Sequence, residues 1–286
     1  MKKIDIHMHL SLNNMDAVIN GEHLASVDEM LPIMDKFNIE KSILMSSGEQ
    51  NVLMDNKEVR SICRKYPDRF YYMATFDLSK KEDLEQRVLN EIKLGAKGIG
   101  ELTYNIAFDD EDMILFLGIL EKHNIPLLFH ISPKIGSYYG VYDDVGLPKL
   151  ENVLSKFPNL KFIAHSQPFW FEMELHENYN IEDRNGYPNG IIKSEGRVQE
   201  LLRKYPNLYC DLSANSGGNA IMRDKEYGYK FIEEFKDRLL YGTDLFSINQ
   251  YFPLGDYLDE AVEKRKISED AYKMIVRDNA IKLFGL

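Results

Sequence analysis

The sequence predicts an α/β protein built as a single (β/α)8 barrel, a TIM barrel spanning residues 1–286. Three observations lead there. Strand-like and helix-like stretches alternate from one end of the chain to the other, eight times over. Near-identical phrases, Lys-Tyr-Pro-Asp (65–68), Lys-Phe-Pro-Asn (156–159) and Lys-Tyr-Pro-Asn (204–207), fall where a helix gives way to a strand. They read as equivalent joints of a repeating unit, because proline cannot continue a helix. Finally, strand-like stretches repeatedly end in a side chain of the metal-ligand type: His7 and His9, Glu101, His130, His165 and Asp244.

The first strand, 4–10, alternates apolar and polar residues and carries His7 and His9 two positions apart, so both imidazoles leave one side of it. Asp5 is expected one pleat below them on the same face. A helical pattern over 23–37 follows, then a second strand at 41–47. Residues 56–66 read as a helix stopped by Pro67, and 69–78 as a third strand rich in aromatic and β-branched side chains. In 81–94, Leu84, Val88, Leu89 and Ile92 keep helical spacing and Gly95 ends the run. The fourth strand is 97–103. Residues 110–123 form a helix entered through acidic residues, as its dipole favours. The apolar run 125–132 suits a strand covered on both faces. A helix at 147–157 leads to the sixth strand at 160–166. Residues 167–194 show no clean period, and a connection that long is uncommon unless it is functional. A helix at 195–205, a strand at 208–213, a helix at 227–235, a strand at 238–244, and helices at 257–264 and 268–284 complete the series. A doubly wound open sheet is the competing architecture, but the first turn lacks the glycines it would need.

Composition narrows the function. At net charge −11 the 286 residues do not suit nucleic acid or an anionic membrane surface, both of which select basic faces. The start of the chain has no apolar leader pattern, and no later run approaches the length of a membrane span, so a cytoplasmic location is expected. Cys63 and Cys210 read as reduced small hydrophobes. The expected partner is a small-molecule substrate. A homo-oligomer is compatible with the sequence.

In this barrel type, catalytic groups sit at the C-terminal ends of the strands. His7, His9, Glu101, His130, His165 and Asp244 all fall there, whereas His23, His123 and His176 lie in helices or loops. The bland reading of a His-x-His pair is two histidines in a pleated surface strand; four of seven histidines at strand ends favours a divalent metal centre.

These residues carry a resemblance. Asp5-x-His7-x-His9, His130 closing strand five, His165 closing strand six, Gly242-Thr243-Asp244 closing strand eight, and the final 278–284 phrase together resemble the amidohydrolase superfamily. The nearest likeness is to its amidohydrolase-related branch, with aminocarboxymuconate-semialdehyde decarboxylase and several lactonases. That resemblance implies a catalytic divalent ion, zinc first and manganese second, held by His7, His9, His130 and Asp244. It implies one ion or two. His165 would orient water or substrate, or complete a second site. Asp244 would accept a proton from water. Asp5 would support the ligands from beneath. Glu101 departs from the simplest pattern of the branch: Gly-Ile-Gly-Glu (98–101) resembles the strand-four phrase of TatD-type deoxyribonucleases, where the glutamate contacts the metal, and its alternative is a carboxylate supporting a ligand. Lys97, at the opposite end of that strand, is excluded.

Three classes compete: a metal-dependent hydrolase of a lactone, ester or amide; a non-oxidative decarboxylase on the same centre; and a metal-binding protein without catalysis. Asp244 beside the ligands disfavours the last. A histidinol-phosphatase-type phosphoesterase also begins with His-x-His, but it would end in an Asp-x-His pair, and here Leu245-Phe246 follow Asp244. Phe169, Trp170 and Phe171 are read as a pocket wall or as a pin for the long loop. Arg184, Arg223, Tyr138 and Tyr139 are loop residues suited to binding a substrate carboxylate, but each taken singly reads more readily as structural or solvated. Ser213, Asn215 and Asn219 offer polar contacts, and Asp211 is read as facing away from Ser213 and purely structural.

Overall fold

The computed structural model describes residues 1–12, 17–19, 21–49, 54–136 and 138–286. The eight expected strands are all present and parallel. β1 (Lys3–Met8) pairs with β2 (Ile39–Met45), and β2 with β3 (Phe70–Met73). A bridge between Ala74 and Ile99 joins β3 to β4 (Ile99–Leu102). β4 pairs with β5 (Leu127–Ser132), then β6 (Phe162–His165), β7 (Leu208–Asp211) and β8 (Leu239–Leu240) follow in order. The ring closes between β8 and β1, where Ile6 N donates to Tyr241 O at 3.0 Å and Asp244 N to His7 O at 2.7 Å.

Ile4, Ile6, Ile43, Met45, Met73, Leu128, Ile163 and Leu240 fill the barrel interior, and Ala280 and Phe284 of the last helical turn pack onto them. β4 is thin where that interior is most crowded. A Cβ on Gly98 would lie 2.7 Å from Pro126 O, so only glycine fits. Outside the ring, helices such as Val27–Lys36, Asn56–Lys65 and Glu111–Lys122 cover the other strand face.

The joints behave as expected. Helices Asn56–Lys65, Pro148–Lys156 and Arg197–Lys204 each stop two residues before the proline of their shared phrase. Other bounds shift for local reasons. The first helix begins at Val27, not near His23, because Ser26 and Glu29 form a reciprocal cap; His23 instead lies in a small hairpin, Val18–Ile19 with Glu22–His23. The long connection after β6 opens with a short helix, Gln167–Phe171, and a further helix, Ala214–Met222, follows β7. Both cysteines are free thiols. Among the described residues, no helix is long and apolar enough to cross a membrane.

Candidate metal centre

Six side chains from five strand ends meet at the C-terminal mouth of the barrel. A register shift between Asp5 and Met8 sets this up. Ile6 packs in the barrel interior while Met8 packs in the outer layer, so the alternation of β1 changes between them. His7 and His9 emerge together beyond the shift. Asp5 does not share their face, as the plain alternation had suggested. It is fully buried beside β8, accepting from Thr243 Oγ1 at 2.5 Å, Thr243 N at 3.0 Å and His7 N at 2.9 Å. Burial pushes its carboxyl up to about 7 against those three bonds. Its role is to lock the β1–β8 seam beneath the ligands.

The donor atoms converge tightly. His7 Nε2 lies 3.2 Å from His9 Nε2 and 3.5 Å from Asp244 Oδ1, and His9 Nε2 lies 3.2 Å from the same oxygen. Glu101 Oε2 stands 3.7 Å from His7 Nε2 and 3.9 Å from His9 Nε2. His165 Nε2 approaches from β6, 3.8 Å from Glu101 Oε1 and 3.9 Å from Asp244 Oδ2. His130 meets the group through Glu101, its Nδ1 2.7 Å from Oε1. Among the described residues, two triads have the spacing for an ion: His7, His9 and Asp244, and His7, Glu101 and His165.

The residues fit a divalent cation. Donors about 2.0–2.2 Å from one zinc ion at the corners of a tetrahedron stand roughly 3.3–3.6 Å apart, and the closest triad here spans 3.2–3.5 Å. His7 Nδ1 is occupied by Asp211 Oδ2 at 2.7 Å, so with that nitrogen donating, the Nε2 lone pair points at the centre.

Asp211 is the residue the sequence reading misplaced. Residues two apart on a strand share a face, and Asp211 and Ser213 both point into the site. Asp211 Oδ2 takes His7 Nδ1, His165 Nδ1 at 3.1 Å and Ser213 Oγ at 2.7 Å. One buried carboxylate thus orients two imidazoles. Burial alone would raise its carboxyl, but the charge of His7 and the bond to His165 hold it far below the usual carboxylate range. The same opposition sets the other groups. Against burial, His130 and His7 hold Glu101 well below its ordinary value, and His7 and His9 lower Asp244. His7 is raised despite burial by Asp244 and Asp211, and His165 by its bond to Asp211. Burial dominates at His130 and lowers it.

The remaining candidates divide. Phe169, Trp170 and Phe171 are buried, and Trp170 Nε1 donates to Asp211 O at 3.1 Å, so this stretch pins the long loop to β7. Arg184 is buried and donates to Asp143 O and Asp144 O, while Arg223 pairs with Glu174 at 2.8 Å; both arginines hold loops together. Asn219 ties its helix to Pro188 O, and Asn215 is exposed. Tyr139 lies at the site, its ring centroid 4.4 Å from that of His130.

A family model described as amidohydrolase matches residues 4–286. The chain belongs to the amidohydrolase family. Amidohydrolases of this family are metal-dependent enzymes, which the donor set above suits. Solved structures share the fold at low identity. A probable 2-pyrone-4,6-dicarboxylic acid hydrolase from Acinetobacter baumannii, with citric acid bound, is 16% identical with TM-score 0.60, over 100% of each chain. A 2,6-dihydroxybenzoate decarboxylase from Rhizobium is 18% identical with TM-score 0.63, over 99% of this chain and 98% of its own. A 5-carboxyvanillate decarboxylase from Novosphingobium aromaticivorans, with bound manganese, is 19% identical with TM-score 0.56, over 91% of this chain and 80% of its own. No curated relative matches the chain in sequence.

Proposed function

We propose that this amidohydrolase is a hydrolase that uses one divalent ion, zinc or manganese, to cleave a small-molecule lactone, ester or amide. The observation that carries the reading is the triad His7, His9 and Asp244, spaced for one ion, with Asp244 the most accessible of the converging groups. Both triads use the same lone pair of His7 Nε2, which supports one ion rather than two. Glu101 completes the donor set, and His130, the ligand expected from strand five, orients it through Nδ1. A bound ion would supply Lewis acidity, polarising a carbonyl and bringing the pKa of water from about 15.7 to about 7. The chain's residues do the rest. Asp244 Oδ2 is turned toward His165 and away from the His7–His9 edge, so it can take a proton while Oδ1 stays with the ligands. His165 is held at Nδ1 by Asp211 at 3.1 Å, so its Nε2 faces the centre, where it can orient water or substrate.

The likeness to two decarboxylases motivates a second reading, a metal-dependent lyase releasing carbon dioxide from a carboxylated substrate at the same centre. One experiment separates them. Zinc- or manganese-loaded protein is screened against lactones, esters, amides and carboxylated aromatics, following acid release and carbon dioxide in parallel. Acid release without carbon dioxide supports the hydrolase; carbon dioxide from a carboxylated aromatic replaces it with the lyase.

A further inference from the structure

We propose that the end of the barrel opposite the metal centre is a docking surface for an anionic lipid membrane. This goes beyond the hydrolase reading and does not depend on it. The net charge of −11 hides a segregation. Helices Val27–Lys36, Asn56–Lys65, Leu84–Lys93, Glu111–Lys122, Pro148–Lys156 and Arg197–Lys204 each end on a lysine, at the end of the barrel where the next strand begins. Counted from the last residue of each helix to the first of the following strand, the six turns are 36–39, 65–70, 93–99, 122–127, 156–162 and 204–208. They hold nine of the chain's 35 Lys and Arg residues and one of its 46 Asp and Glu residues. A lysine in the last turn of a helix complements the helix dipole, which accounts for six of the nine. Arg69, Lys97 and Lys161 come after the helices, so the dipole explains neither them nor the scarcity of carboxylates.

Most of this charge is unspent. Arg69 pairs with Asp35, Lys122 with Glu85 and Lys204 with Glu151. Lys36, Lys65, Lys93, Lys97, Lys156 and Lys161 have no carboxylate partner among the described residues. Lys36, Lys65 and Lys156 lie over the ring of the next residue, at 5.4, 5.0 and 5.7 Å, which supports the side chain without neutralising it. The neighbouring carboxylates Asp35 and Glu40 are taken by Arg69 and Arg277. Lipid suits these turns better than nucleic acid does, because their unspent groups are all lysines. Lysine is a point charge suited to a diffuse layer of headgroups, whereas base recognition favours the bidentate fork of arginine. Leu94, 43% exposed between Lys93 and Lys97, adds an apolar contact at the same level. The acidity of the rest of the chain does not cancel the attraction. Charge is screened over about 8 Å at physiological salt, whereas the six residues of β1 alone set the two ends of the barrel about 20 Å apart. In this orientation the mouth of the barrel opens away from the membrane.

The test sediments the full chain with vesicles of phosphatidylcholine alone and of equal parts phosphatidylcholine and phosphatidylserine, at physiological ionic strength. Two triple variants are run beside the parent. Lys65→Glu/Lys93→Glu/Lys156→Glu alters the proposed face. Lys57→Glu/Lys134→Glu/Lys193→Glu alters exposed lysines toward the mouth: the first turn of helix Asn56–Lys65, the loop after β5 and the connection after β6. Both variants carry the same net charge, so a difference between them reports the face and not the whole molecule. The parent should bind the mixed vesicles and ignore phosphatidylcholine. The first variant should lose at least about 100-fold in partitioning, at about fivefold per lysine, and the second less than about threefold. Should the first variant melt below the parent, Lys65→Gln/Lys93→Gln/Lys156→Gln takes its place, with the same loss expected. A parent that does not bind the mixed vesicles, or an equal loss in both variants, overturns the proposal. Binding of polyuridylate RNA without binding of vesicles also overturns it and assigns the face to nucleic acid.

Discussion

Asp244 and Asp211 are carboxylates at neighbouring strand ends beside the same imidazoles, and their surroundings give them different work. Asp244 is partly open to solvent and occupies a left-handed backbone conformation, φ 61°, which few side chains other than Asn and Asp enter readily. Backbone strain of this kind is tolerated where it aims a functional group. Asp244→Asn keeps the shape and one oxygen but removes the proton acceptor. Turnover should fall about 10²–10⁴-fold with substrate affinity little changed. Near-normal turnover in the metal-loaded variant would leave Asp244 a ligand only. Asp211 touches the centre only through His7 and His165. Asp211→Ala takes the carboxylate from both Nδ1 atoms and leaves them only Ser213 Oγ, 3.4 Å from His7 and 3.1 Å from His165, and zinc affinity should drop about 10–100-fold, measured by competition with a chromogenic chelator. Partial recovery in Asp211→Asn, which keeps an accepting oxygen, is the expected signature of orientation; an affinity unmoved by Asp211→Ala removes that role. Asp211 was legible as a residue type but not as a partner, since its bonds cross from β7 to β1 and β6.

At the scale of elements, the loops that frame the mouth are held by groups that do no chemistry. Asp143 lies across the start of helix Pro148–Lys156, accepting from Lys149 N at 3.0 Å and Leu150 N at 2.8 Å. Burial nevertheless raises its carboxyl from 3.8 to about 6, ahead of the lowering by Leu150 N and Lys149 N. The folded state thus binds this proton more tightly than the unfolded chain, so Asp143 costs stability as pH rises from about 4 to about 6. That change is worth about 3 kcal/mol at full ionisation. Asp143→Asn does not titrate. Its urea midpoint relative to the parent should therefore improve between pH 4 and 6.5, and a flat difference across that window would disprove the linkage. Gly140 holds the β5 loop at φ 108°, and a Cβ there would lie 2.8 Å from His130 O and 2.9 Å from His130 Cδ2. Gly140→Ala should lower stability by about 1–3 kcal/mol and weaken metal binding by displacing His130 from Glu101. A variant with parent-like denaturation and metal affinity would show that the loop yields elsewhere. The arginines of these loops take the structural role, the more favoured of the two readings their sequence context allows. A sequence shows that Arg184 is cationic, but only packing shows that its two terminal nitrogens donate to Asp143 O and Asp144 O.

For the whole molecule, the centre ties together strands far apart in sequence: β1, β4, β6 and the end of β8 each send a donor to one point. An ion that binds only the folded chain stabilises it by mass action, about 2.7 kcal/mol at one hundred times the dissociation constant. For a chain of this size, zinc addition should raise Tm by roughly 5 °C or more, and a chelator should reverse it. The His7→Ala/His9→Ala double variant should show no such shift. A parent Tm indifferent to both zinc and chelator would remove the ion from this site.

What the sequence determined by itself was whatever depends on local pattern and residue chemistry. The alternation of periods marks eight strands and their helices, the Lys-Tyr-Pro-Asp type joints mark where each helix must stop, and strand-end histidines and carboxylates mark the centre. Tertiary structure alone decided the partnerships. One extra residue in β1 separates Asp5 from His7, and nothing in the alternation of residues 4–10 announces it, because a bulge is settled by pairing with β2. Asp211 comes to serve His7, 204 positions away, only because barrel closure brings them to hydrogen-bond distance, whereas it meets His165, and Glu101 meets His130, because these pairs stand on adjoining strands.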